Sequence, residues 1–85
     1  GFGKTTNDNY ILLKNLSFFK ELGCPILAGI SRKSMIYKVL NTNPQNSLNG
    51  TTCLNTISLM NGANILRVHD VKQAKEVIDL VEYLN

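Results

Sequence analysis

The chain has 85 residues, nine Lys+Arg against six Asp+Glu, two cysteines, no tryptophan and 44% hydrophobic residues, for a net charge of +3. That balance fits one globular domain and excludes disordered, collagenous and disulfide-built chains. No apolar run reaches the roughly 18–20 residues that cross a bilayer, and the basic residues lack the interleaved aromatics of a nucleic-acid groove, so neither partner is expected.

Residues 1–50 carry six basic and two acidic side chains, and residues 51–85 carry three and four. The basic bias around Arg32 and Lys33 suits a small anion. Cys24 and Cys53 lie far outside any CxxC spacing and are read as reduced, buried thiols of a cytoplasmic protein. The chain opens on Gly1 rather than Met, so a piece of a longer protein is expected.

In chain order, Thr5 to Asp8 offers N-caps for a helix with Ile11, Leu12, Leu16, Phe19 and Leu22 on its apolar side, closed by Gly23. Ile26 to Ile30 is too short for a helix and predicts a buried strand. A short helix follows through Met35, Ile36, Val39 and Leu40, then a loop from Asn41 to Ser47 around Pro44. The next helix runs from Asn49 or Gly50 to Asn61, with Leu54, Ile57, Leu59 and Met60 as its apolar contacts and Gly62 as its stop. Asn64 to His69 reads as a second strand. Asp70 and Gln73 form a capping box for a last helix that buries Val71, Ala74, Val77, Ile78, Val81 and Leu84.

Strands alternating with helices imply parallel strands with helical crossovers. Two strands do not complete such a core, so the pattern predicts a slice of an open α/β sheet or a (β/α) barrel. In both architectures ligands bind beyond the C-terminal strand ends. By strand alternation Leu27, Gly29 and Ser31 share one side, and Ile65, Arg67 and His69 share another. Gly29 and Ser31 leave room for a ligand. Arg67 is expected to be an inward, buried guanidinium needing an anion, with His69 beside it as a second donor for a diphosphate. Ser31-Arg32-Lys33-Ser34 precedes a helix whose start attracts a carboxylate or phosphate, with Ser34 at or near the cap. Lys33 continues the pocket parity; Arg32 points to the other side and takes a structural role. Lys4 and Asp70 read as solvated or capping residues, and Phe2, between two glycines, as an aromatic contact on a loop.

Three segments in this order, Gly1-Phe2-Gly3-Lys4-Thr5, Gly29-Ile30-Ser31-Arg32-Lys33-Ser34 and Ile65-Leu66-Arg67-Val68-His69-Asp70, resemble the C-terminal third of the dihydropteroate synthase family. The resemblance implies an α/β fold, a C-terminal fragment of a (β/α)8 TIM barrel. Residues 1–85 would be part of one pterin-binding domain, with the seventh and eighth strands and their helices present and the N-terminal strands missing. It implies condensation of 4-aminobenzoate with dihydropterinylmethyl diphosphate, giving dihydropteroate and diphosphate for folate.

By the same resemblance Lys33 contacts the pterin, with Gly29 and Ser31 bordering that pocket. Ser34 receives the 4-aminobenzoate carboxylate, Phe2 packs on its ring, and Arg67 and His69 hold the leaving diphosphate. A magnesium ion (Mg2+) accompanies the diphosphate, its protein ligand being on an early strand absent here. A homodimeric parent is implied, and the fragment alone is expected to be inactive. Tyr37 stands where a glycine is often found, and Ser47 where a basic residue is usual. The competing readings are a methyltetrahydrofolate corrinoid methyltransferase, which has no diphosphate to hold, and a non-enzymatic anion-binding α/β module.

Overall fold

The computed structural model describes residues 5–85. Its elements are α1 (Thr6–Lys14), α2 (Leu16–Glu21), β1 (Leu27–Ala28), α3 (Ser34–Tyr37), a 3-10 turn (Pro44–Asn46), α4 (Leu48–Met60), β2 (Ile65–Leu66) and α5 (Val71–Leu84). The strands pair in parallel, Leu27 opposite Ile65 and Ala28 opposite Leu66. Asn64 extends the ladder at its N-terminal end, its side-chain oxygen accepting the Ile26 amide at 2.8 Å.

The first helix starts where expected, on a capping box: Thr5 Oγ1 accepts the Asp8 amide and the Asp8 carboxylate accepts the Thr5 amide. It does not continue as one helix. The Asn15 side-chain amide donates to the Ile11 carbonyl at 2.8 Å, competing with the ladder, and Asn15 leaves helical geometry. The phase of the apolar stripe changes across this break. Leu13 and Leu16 are buried, whereas Ile11, Phe19 and Leu22 are exposed. Gly23 closes α2 at φ +79° as expected.

The helix expected through Val39 and Leu40 is a single turn, and both side chains are exposed. Asn41 takes a left-handed φ of +55°, and the Thr42 amide folds back to the Tyr37 carbonyl at 2.8 Å, which stops the helix. On α4 the buried face is Thr51, Leu54, Asn55 and Ser58; Ile57 and Met60 point outward. The buried hydroxyls are satisfied, Thr51 Oγ1 accepting the Arg32 amide at 3.0 Å and Ser58 Oγ donating to the Leu54 carbonyl at 2.7 Å, whereas the buried Asn55 Oδ1 has no partner among the described residues. On α5, Ala74, Val77 and Val81 are buried and Ile78 half-buried, while Val71 and Leu84 are exposed. Asp70 precedes α5 but makes no capping hydrogen bond, because its carboxylate is held by Arg32.

Leu13, Leu16, Ile26, Ala28, Met35, Ile36, Leu54 and Ala63 form the core between helices and strands. Each strand has one neighbour among the described residues, so regular pairing shrinks to two residues where five or six were expected. The alternation of faces survives. Ile26 and Ala28 are buried against the helices, whereas Leu27 and Ile65 on the opposite face are 58% and 57% exposed. That uncovered face is apolar, which marks it as a surface for further strands. Both cysteines are free, as expected, but exposed rather than buried: Cys24 lies in the loop after Gly23, and Cys53 on the outer side of α4. Among the described residues no helix is long and apolar enough to cross a membrane.

Candidate functional site

Beyond the C-terminal ends of β1 and β2 the two chains keep the strand register. Ser31 and His69, and then Arg32 and Asp70, meet at the sequence offset of 38 that relates Ile26 to Asn64 at the other end of the ladder. Between these pairs lies a hollow lined by Gly29, Ser31, Arg32, Lys33, Arg67, Val68 and His69. The expected anion-binding side chains of Lys33, Arg67 and His69 therefore line one concavity. Gly29 keeps its floor low, although a Cβ there would meet Arg67 Cβ at an ordinary 3.8 Å, so packing within this chain does not demand the glycine.

Arg67 is exposed, not buried as expected, because the strand face that carries it is uncovered among the described residues. Its amide donates to the Ala28 carbonyl at 2.9 Å. The side chains of Arg67 and Lys33 have no hydrogen-bonding or ionic partner among the described residues. His69 is held. Ser31 Oγ lies 2.8 Å from its Nδ1 and accepts its backbone N–H at 3.2 Å.

Arg32 takes the structural role expected of it, through contacts that parity does not reveal. Its Nε donates to Asp70 Oδ2 at 2.9 Å and its Nη2 to Asp70 Oδ1 at 3.0 Å. Nη1 donates to the carbonyls of Pro44 at 2.7 Å and Gln45 at 3.1 Å, and the Arg32 amide to Thr51 Oγ1 at 3.0 Å. These bonds hold Arg32 at φ +53°, a left-handed conformation costly for a side-chain-bearing residue. The left-handed step turns the chain out of strand geometry just before Lys33. The hydrogen bonds from Arg32 keep the Asp70 carboxyl below its ordinary range against the opposing effect of burial, and the Arg32 guanidinium is correspondingly raised. Asp70 is thus a clamp residue rather than a solvated cap. Opposite charges on two loops that leave neighbouring strands at the same offset were the available signal.

The helix after Ser31-Arg32-Lys33-Ser34 has only four residues, so its dipole offers little of the attraction anticipated. Lys33 occupies the cap position with no side-chain capping bond. Ser34 is the first helical residue, half-buried, and does not line the hollow. Lys33 also lines an adjoining, mostly apolar cleft with Leu12, Leu16, Leu27 and Met35. Phe2 lies outside the described residues. No cluster of three His, Cys, Asp or Glu able to hold a metal ion occurs among the described residues, and Asp70, the carboxylate next to His69, is occupied by Arg32.

The family model described as pterin binding enzyme matches residues 1–69. The chain belongs to the pterin binding enzymes. Among curated members it is 46% identical over 82 residues to dihydropteroate synthase of Escherichia coli K12, which spans 96% of this chain and 29% of that protein. It is 37% identical over 82 residues to the Bacillus subtilis dihydropteroate synthase, again over 96% of this chain and 29% of the relative. The solved dihydropteroate synthase from Vibrio fischeri ES114 superposes with a TM-score of 0.93 at 44% identity, over 99% of this chain and 31% of the other. A Coxiella burnetii dihydropteroate synthase in complex with pteroic acid superposes at 0.91 and 43% identity, over 96% of this chain and 30% of that one. These pterin binding enzymes are TIM barrels, and the two parallel strands and their helices are a portion of that fold. The relatives favour a synthase over a corrinoid methyltransferase or a free-standing module.

Proposed function

We propose that this chain is the C-terminal part of a dihydropteroate synthase, contributing the diphosphate-holding and part of the pterin-holding wall of its active site. The observation that carries this reading is the hollow beyond two parallel strands that Lys33, Arg67 and His69 together line, Lys33 and Arg67 having no counter-charge among the described residues. In barrel enzymes that end of the strands is where chemistry occurs.

In the proposed reaction the 4-aminobenzoate amine attacks the pterin methylene. The carbon–oxygen bond breaks with its electron pair going to the diphosphate, and the amine gives up a proton to water. Arg67 and His69 donate hydrogen bonds where negative charge grows, so their stabilisation is larger in the transition state than before it. Lys33, with Gly29 and Ser31 beside it, orients the pterin. Ser34, one residue beyond Lys33, takes the 4-aminobenzoate carboxylate and Phe2 packs on its ring. A bound Mg2+ would offset charge on the diphosphate, and none of the residues given roles here is assigned to hold it. A cytoplasmic homodimer completes the reading.

The test is a chimera in which residues 1–85 replace the matching stretch of the Escherichia coli relative. Formation of dihydropteroate from 4-aminobenzoate and the pterin diphosphate is expected, with Arg67→Ala and His69→Ala each reducing it strongly and the 85-residue chain alone giving none. A folded chimera that forms no dihydropteroate, or an isolated chain that does, overturns the proposal.

A further inference from the structure

We propose that Ser31 is a positioning residue that fixes the tautomer of His69, so that Nε2 always presents an N–H to the hollow. The inference rests on the reading of His69 as a diphosphate-binding group and goes beyond Ser31 as a wall of the pterin pocket. Ser31 is 4% exposed, and its hydroxyl has one hydrogen to give and two lone pairs. One lone pair accepts the backbone N–H of His69 at 3.2 Å. The remaining close contact of Oγ is His69 Nδ1 at 2.8 Å.

Two neutral tautomers of His69 are then unequal. With the ring proton on Nε2, Nδ1 accepts the Ser31 hydroxyl hydrogen and every group is satisfied. With the ring proton on Nδ1, both Ser31 lone pairs are filled and its hydroxyl hydrogen is left without an acceptor in a buried site, which is unfavourable. When His69 is positively charged, Nδ1–H donates to Ser31 and Nε2 still carries a proton. In both charge states the nitrogen remote from Ser31 is therefore a donor.

That matters because diphosphate oxygens only accept. An Nε2 lone pair facing them would repel the leaving group rather than hold it. The bond also fixes the ring plane, and Arg32–Asp70 one residue along braces the same two loops, so Ser31 and His69 are not free to drift apart. The two cross-loop links thus have separate tasks, Arg32 holding backbone and Ser31 directing a proton.

The test uses the full-length chimera with 15N-labelled histidine. His69 is expected as the Nε2–H tautomer with Ser31 intact, and as a mixture with Nδ1–H in Ser31→Ala. The Kd of inorganic diphosphate is expected to rise by up to roughly 10-fold in S31A, equivalent to the loss of one net hydrogen bond. In a His69→Ala background S31A should cost nothing more, and Ser31→Thr, which keeps a hydroxyl, should restore the tautomer. An unchanged His69 tautomer in S31A, or an equal loss with and without His69, overturns the proposal. If diphosphate binds no better to the Ser31 protein than to a Lys33, Arg67 and His69 triple alanine variant, the reading of the site fails, and the tautomer spectra still decide the role of Ser31.

Discussion

Arg32 and Asp70 are joined by two parallel hydrogen bonds, of 2.9 and 3.0 Å, at the same offset of 38 residues as Ser31 and His69. Side chains therefore continue what backbone pairing began. The ladder is short, and beyond it this fork joins the two chains together with the Ser31–His69 contacts, while Arg32 also gathers the 3-10 turn and α4 through the Pro44 and Gln45 carbonyls and Thr51. A lysine offers one point charge and cannot bind a carboxylate and two carbonyls in one plane. Arg32→Lys in the chimeric enzyme should lower Tm and reduce kcat/KM by roughly 10²-fold, the penalty for reacting groups displaced by about an ångström. Steady-state kinetics beside a thermal melt separate this from simple unfolding, since the folded variant should still be slow.

The same pair makes acid stability predictable in sign. Hydrogen bonds from Arg32 lower the folded pKa of Asp70 below its ordinary 3.8. A carboxyl depressed on folding stabilises fully above its unfolded value and loses that contribution as pH falls through the folded one. The Tm difference between the wild type and Asp70→Asn should therefore be greatest near neutrality and close at pH values below 3.8. Melting curves across the acid range check it; a difference that grows on acidification would contradict the assignment.

Much of this was readable from residue order, and the failures share a physical origin. Alternation around Ile26–Ala28 and Leu66–Val68 separates the helix-packed face from the one that carries Gly29 and Arg67, because a strand period of two leaves little freedom once one face is buried. Gly23 and Gly62, at φ +79° and +109°, marked helix ends correctly for the steric reason that defines them. Helix faces were less legible. The Asn15 break depends on one side-chain amide bond, and the buried hydroxyls of α4 depend on an acceptor from the helix's own backbone, the Leu54 carbonyl, and a donor from the Arg32 loop, its backbone N–H. Strand parity places Arg67 on an inward face, but that face is uncovered among the described residues and Arg67 is exposed. Asp70 was assigned to its own helix because the guanidinium that takes it lies far away in sequence.

Gly50 offers a test in which two local effects oppose each other. It lies in the first turn of α4, where alanine would gain at most about 1 kcal/mol of helix propensity. A Cβ there would stand 2.6 Å from Ile36 Cγ2 and 2.9 Å from Leu40 Cδ1, and Ile36 is 1% exposed. Overpacking of that kind costs about 1–3 kcal/mol, so crowding wins. Gly50→Ala should be destabilising by up to about 2 kcal/mol, read as a lower urea midpoint at unchanged slope. A stabilised variant would mean that α3 yields where its buried isoleucine suggests it cannot.

Among the described residues neither Arg67 nor Lys33 has a counter-ion, yet the two are not equivalent as donors to an anion. The planar fork of Arg67 can present two parallel N–H groups to two oxygens of one phosphate, whereas a lysine in its place presents a mobile point charge. Arg67→Lys preserves net charge and long-range attraction, so the association rate for diphosphate should change little. Losing one charge-assisted hydrogen bond is worth about 1.5–3 kcal/mol, which raises Kd roughly 10- to 100-fold through faster dissociation. Because this bond strengthens as the leaving group acquires charge, kcat should fall along with affinity. Stopped-flow binding of diphosphate and steady-state turnover on the same chimeric protein distinguish the outcomes: an unchanged kcat with a raised KM would assign Arg67 to ground-state binding alone.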